Sequence, residues 1–109
     1  MAYDEDLAGR IRDALGHGDD VVERKMFGGV AFMVGGNMAC GVVGERLMLR
    51  LGEDGATTAL EEQHVEPMDF TGRPMSTMVY VEPAGVATDA ALAGWVARAV
   101  SFAESLPPK

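Results

Sequence analysis

The sequence is poor in the residues that staple or anchor small proteins. It has one cysteine, Cys40, in 109 residues, so no intramolecular disulfide forms and no cysteine-rich metal site is available. Aromatic residues make up only 6%, so the core has to be built from aliphatic and methionine side chains. No apolar run approaches the roughly 18 residues of a membrane helix. Basic residues are scarce: nine Lys and Arg stand against 17 Asp and Glu, for a formal net charge of -8. That balance argues against sequence-independent nucleic-acid binding and against an anionic membrane surface, both of which need Lys and Arg to meet phosphate. Asp4, Glu5 and Asp6 open the chain where a signal peptide would be basic and then apolar. The expectation is a cytoplasmic protein.

What is present is ordinary globular material, 48% hydrophobic and 24% charged, and it predicts a single domain over residues 4–106 with a short tail at 107–109. The acids are unevenly spread. Residues 52–67 carry five acids and no base, whereas Glu23 and Glu45 in residues 21–51 are outnumbered by Arg24, Lys25, Arg46 and Arg50. That middle segment is the one basic island.

Periodicity sets the elements. Leu7, Ile11, Ala14 and Leu15 make one apolar helical stripe behind the acidic first turn, and Gly16 and Gly18 stop it. The period then changes to two. Val30–Val34, Met38–Val43 and Arg46–Leu51 read as an antiparallel meander joined by Gly35-Gly36 and Gly44-Glu45, both suited to tight turns with positive φ. A second helix is expected over about 54–64, then a hairpin of Met68–Phe70 and Met75–Val81 around Thr71-Gly72-Arg73-Pro74. Last comes a helix capped by Thr88, burying Leu92, Trp95, Val96, Ala99, Ala103 and Leu106. The order α-β-β-β-α-β-β-α makes an α+β domain with helices on one face of an antiparallel sheet.

Two-residue loops fix register, so faces follow. Pairing residue 34 with 37 and 43 with 46 predicts one face of Ala31, Met33, Met38, Cys40, Val42, Leu47, Leu49 and Leu51 under the helices. The other face then carries Val30, Phe32, Val34, Ala39, Gly41, Val43 and Met48 with Arg46 and Arg50. Val30, Phe32, Val34, Val43 and Met48 would form an apolar patch of the kind that marks an interface, which predicts a homodimer through that face.

Several segments together resemble the N-terminal domain of the TfoX/Sxy family. They are Lys25-Met26-Phe27-Gly28-Gly29, the glycine turn before Met38, Arg46-Leu47-Met48-Leu49-Arg50, Gly72-Arg73-Pro74-Met75-Ser76 leading to Tyr80, and Trp95. The resemblance covers roughly residues 5–105. It implies a fold similar to the secretion-chaperone-like α+β proteins, which are often dimers. It also implies kinship with regulators of natural competence that act with other transcription factors, and it supplies no catalytic residues.

The chemistry-bearing residues are few. The glycine pairs do not lead into Lys-Ser/Thr and a helix, and no βαβ unit surrounds them, so they read as turns rather than phosphate or dinucleotide loops. Lys25, Arg46, Arg50 and Arg73, with Tyr80, would make an anion site walled by Phe32 and Met48 if they converge. Otherwise the arginines pair with nearby acids and lie along the sheet. The eight methionines suit core filling or an adaptable groove. His17 and His64 have no Ser or Cys partner nearby and no metal-ligand spacing, and Cys40 falls on a buried strand. No cofactor or metal is expected. The expected function is a non-enzymatic regulatory domain that contacts other proteins, with the binding of a small anionic ligand as the alternative.

Overall fold

The computed structural model describes residues 3–16, 21–26, 28–70 and 73–107, with side chains described for all of these except 26, 69, 70 and 73–75. Asp4 starts the first helix. Its carboxylate accepts the N–H groups of Asp6 and Leu7 at 3.0 and 3.1 Å, and α1 (Glu5–Leu15) follows. Leu7, Ala8 and Ile11 are buried, Ala14 is exposed, and Gly16 ends the helix at φ 79.

Six strands form one antiparallel sheet: β1 (Val21–Met26), β2 (Gly29–Val34), β3 (Asn37–Val43), β4 (Arg46–Arg50), β5 (Val65–Phe70) and β6 (Arg73–Val81), in the spatial order β1-β2-β3-β4-β6-β5. The expected succession of helices and hairpins is present, with β1 as an additional strand before the meander. Gly35 and Gly36 turn the β2–β3 hairpin with φ of 61 and 84, and Gly44 turns β3–β4 with φ 61.

α2 (Gly52–Ala59) is shorter than expected and leaves His64 at φ 67 before β5. After a 3₁₀ turn (Pro83–Val86), α3 (Asp89–Glu104) starts where Thr88 Oγ1 accepts the Ala91 N–H at 3.1 Å. Leu92, Trp95, Val96, Ala99 and Ala103 are buried as the helical period requires. The Thr71-Gly72 turn lies outside the described residues.

The helices share one sheet face and enclose the main core. That core joins Leu7, Ala8 and Ile11 of α1 to Val30, Phe32, Val34, Cys40, Val42, Leu47, Leu49, Val79 and Val81 of the sheet and to the buried stripe of α3. Here one expectation is corrected. Val30, Phe32 and Val34 do not face outward with Val43 and Met48; they lie under the helices, and Phe32 is completely buried.

The reason is a break in register. Val34 pairs with Asn37 and Met33 with Met38, as two-residue turn geometry dictates, but Phe32 then pairs with Cys40. Ala39 is the extra residue of a β-bulge, and a one-residue slip reverses every side chain beyond it. Met33, Met38 and Ala31 consequently leave the helix face. The other half of the assignment holds: Val43 pairs with Arg46 and Gly41 with Met48, so Cys40, Val42, Leu47 and Leu49 face the helices.

The second face has its own small core. Ala31, Met48, Met68, Met78 and Tyr80 are buried there, with Met33, Met38 and Val43 half-buried beside them. A second register shift, between Pro67 and Met68, interrupts the β5–β6 pairing.

Candidate functional site

The second sheet face is built from the strand register. Pairing Arg24 with Ala31, Ala31 with Gly41, Gly41 with Met48, Met48 with Tyr80 and Tyr80 with Glu66 lays these residues in one row across all six strands. Gly41 leaves the space Met48 occupies, because a Cβ at position 41 would stand 2.7 Å from Met48 Cε. The methionine then packs over the glycine in the row, between Ala31 and Tyr80.

Arg46 lies over this core. Its guanidinium carbon is 3.8 Å from the centre of the Tyr80 ring, and its Nη1 is 3.4 Å from Glu66 Oε2. The ring face attracts the cation, while burial of the tyrosine fixes the ring. The ion pair is half-exposed and by itself stabilises by at most about 1 kcal/mol. Glu82 stands next in the cluster. A hydrogen bond from its carboxyl group to Glu66 raises its pKa above the usual carboxylate range, because two carboxylates this close resist ionising together.

Charges on this face have one sign from β1 to β4. By alternation the face takes Val22, Arg24, Ala31, Met33, Met38, Gly41, Val43, Arg46, Met48 and Arg50, whose only charged members are arginines. In a chain of net charge -8 this is a marked local inversion. The Arg50 guanidinium turns around the end of the sheet, 5.6 Å from the Phe102 ring of α3.

The expected anion site is not assembled. Lys25 is exposed but pairs with Val30, which puts it on the helix side of the sheet, opposite Arg46. Arg46 and Arg50 are four residues apart on one strand, about 13 Å along it, and lean in different directions. Phe32 belongs to the other core and cannot wall the site. Arg73 pairs with Phe70 through the backbone, and its side chain is outside the described set. Of the five residues, Arg46 and Tyr80 meet.

Other candidates are inert by geometry. Cys40 is fully buried, and desolvation pushes its thiol pKa up to about 12, so the nucleophilic thiolate is suppressed at neutral pH. Among the described residues no group of three His, Cys, Asp or Glu is placed to hold a metal ion. His17 lies outside them. Gly35 and Gly36 are a hairpin turn, and Gly28 and Gly29 lead into β2.

Sequence reasoning missed Arg24, Glu66, Met33, Met38, Met68 and Met78 as neighbours of this face. Glu66 was hidden by the register shift between Pro67 and Met68, since counting back from the Phe70–Arg73 pair puts residue 63, not 66, opposite Tyr80. Met33 and Met38 were hidden by the bulge, which has no marker in the local sequence.

No helix among the described residues is long and apolar enough to cross a membrane. A family model described as the TfoX N-terminal domain matches residues 13–103, a span that takes in all six strands, α2 and nearly all of α3. No curated protein and no solved structure gives a significant match.

Proposed function

Because this chain belongs to the TfoX N-terminal domain family, we propose that it is a non-enzymatic regulatory domain that acts by binding another protein across its second sheet face. The observation that supports this reading is the character of that face. Half-buried Met33, Met38 and Val43 adjoin charged positions that are all arginine from β1 to β4. Methionine is flexible and polarisable and accommodates varied partner side chains. Arginines beside it favour a partner segment that carries acids next to its apolar residues. The fitting occupant is therefore an acidic amphipathic segment of another protein. In this reading the domain works in the cytoplasm, in control of competence or of related gene expression.

The test is co-purification from native cells with wild type and with two variants, Arg46→Glu and Met38→Ser, each checked for native circular dichroism. The reading expects a protein that is retained by wild type and lost with both variants. A partner retained equally by all three would place the contact elsewhere and overturn the proposal.

A further inference from the structure

Among the described residues β1 is the terminal strand of the sheet and pairs with β2 alone. Val22, Glu23, Arg24 and Lys25 are all exposed, and Val22 at 48% is one of two large apolar side chains left exposed among the described residues. The outer side of this strand carries N–H and C=O groups that no described residue pairs, a ready template for another strand.

Which groups point outward follows from the hairpin. Two residues separate Met26 from its partner Gly29, so these two form a hydrogen-bonded pair next to the loop. Alternation then turns the backbone groups of Arg24 and Val22 toward β2, and those of Val21, Glu23 and Lys25 toward the free edge.

The charges select an occupant. Edge strands usually carry charges that repel a second strand. Here Glu23 and Lys25 flank Arg24 with opposite signs, both on the helix side. In an antiparallel pair centred on Arg24, Glu23 of each copy faces Lys25 of the other. Those two positions also carry the outward backbone groups, so each becomes a hydrogen-bonded pair. Arg12 already holds Glu23 by two hydrogen bonds of 2.6 and 2.8 Å, which fixes the carboxylate beside the edge.

We propose that the free edge of β1 pairs with the same edge of a second copy of this chain, in the antiparallel register that places Arg24 opposite Arg24. The twofold axis is perpendicular to the sheet, so both helix layers stay on one side and the two sheets become continuous. This assembly leaves the second-face docking site free and does not depend on it. An adverse contact in it is the Arg24 pair at the axis, where like charges directly opposite weaken strand pairing.

The test is light scattering on a size-exclusion column. Wild type is expected at twice the 11.5 kDa of one chain at high micromolar concentration. Lys25→Glu and Glu23→Lys each turn two attractive pairs into repulsive ones, and each alone is expected to weaken dimerisation by at least about tenfold. Mixed in equal amounts they restore both attractions and are expected to form a heterodimer. Arg24→Thr removes the adverse pair and is expected to tighten the dimer several-fold. Native circular dichroism of each variant separates dissociation from misfolding. A wild type that stays at 11.5 kDa overturns the proposal. So does a dimer unaffected by Lys25→Glu, or a mixture that remains monomeric. An Arg24→Thr dimer no tighter than wild type overturns the register.

Discussion

Gly41 is the position where the second core has least room, and Gly41→Ala measures it. Gly41 sits in β3 without a positive φ, so its backbone conformation suits any residue and only space is at issue. A Cβ there runs into the Val30 carbonyl oxygen of β2, and stands 2.7 Å from Met48 Cε and 3.0 Å from Ala31 Cα. Two of these three are backbone atoms of the neighbouring strand. Relief requires β2 to move away, which weakens at least one ladder hydrogen bond at about 1 kcal/mol. It also requires the Met48 methyl to shift within a fully buried site, and overpacking of this kind costs about 1–3 kcal/mol. The unfolded chain loses some freedom when glycine is replaced, which returns about 0.4–1 kcal/mol. The net expectation is a loss of about 2 kcal/mol, or a fall in Tm of about 8–16 °C for a domain near this size. Urea unfolding followed by circular dichroism is the assay, with the midpoint lowered and the slope unchanged. Adding Met48→Ala relieves one of the three contacts, so the double variant should lose less than the sum of the two singles by about 0.5–1 kcal/mol. A Gly41→Ala protein within about 0.5 kcal/mol of wild type would refute the close approach of β2 and β3 at this point.

Two further outcomes follow from the same geometry. Phe32→Ala should cost about 3–5 kcal/mol and Met33→Ala about 1 kcal/mol or less in urea titrations, because Phe32 is in the helix-covered core while Met33 is half-buried on the other face; a reversed order would restore the bulge-free register. The Glu82 carboxyl is raised by Glu66, so the folded state holds that proton more tightly than the unfolded state. Its contribution is therefore fully present below the unfolded pKa of about 4.3 and lost as pH rises through the higher folded value. Glu82→Gln should accordingly stabilise the protein at neutral pH, with the gain vanishing near pH 4, about the unfolded value; equal gains at both pH values would show that the pair is not coupled.

The elements legible in the sequence are those whose signals are local. Thr88 and the Leu92, Trp95, Val96, Ala99, Ala103 spacing specify α3 without reference to the rest of the chain. Gly44 specifies the β3–β4 register, and with it the faces of Cys40, Val42, Leu47 and Leu49. β1 was not legible, because an edge strand exposed on both faces shows no apolar alternation: Val21-Val22-Glu23-Arg24-Lys25 carries no strand signal of its own and becomes a strand only because β2 pairs with it. The docking face was half legible for the same reason. Arg46 and Tyr80 could be picked out by type, but their meeting depends on β4 pairing with β6, across an intervening helix in the chain.

The phase of β2 is the largest miss, and its cause is a balance of energies over distant residues. Without the bulge, Met33 and Ala31 would face the helices and Phe32, Val30 and Val34 would not. Burial of a Val or Phe side chain is worth about 1.5–3 kcal/mol, whereas an unpaired ladder group costs about 1 kcal/mol. Three such side chains under the helices outweigh one interrupted pair, and the flexible methionines tolerate the half-buried positions left over. This account makes an unusual demand on a deletion. Removing Ala39 joins Met38 directly to Cys40, which already face opposite sides, so every other face is conserved and the ladder becomes regular. The deletion should fold, at a cost near the ~1 kcal/mol of a lost buried methyl. Removing Val42 instead brings Gly41 next to Val43, which share the second face, and must turn one of them into the helix layer. That protein should fail to give a cooperative unfolding transition. If both deletions unfold the chain, the bulge is not an insertion into an otherwise regular hairpin, and the energetic argument for the phase of β2 falls with it.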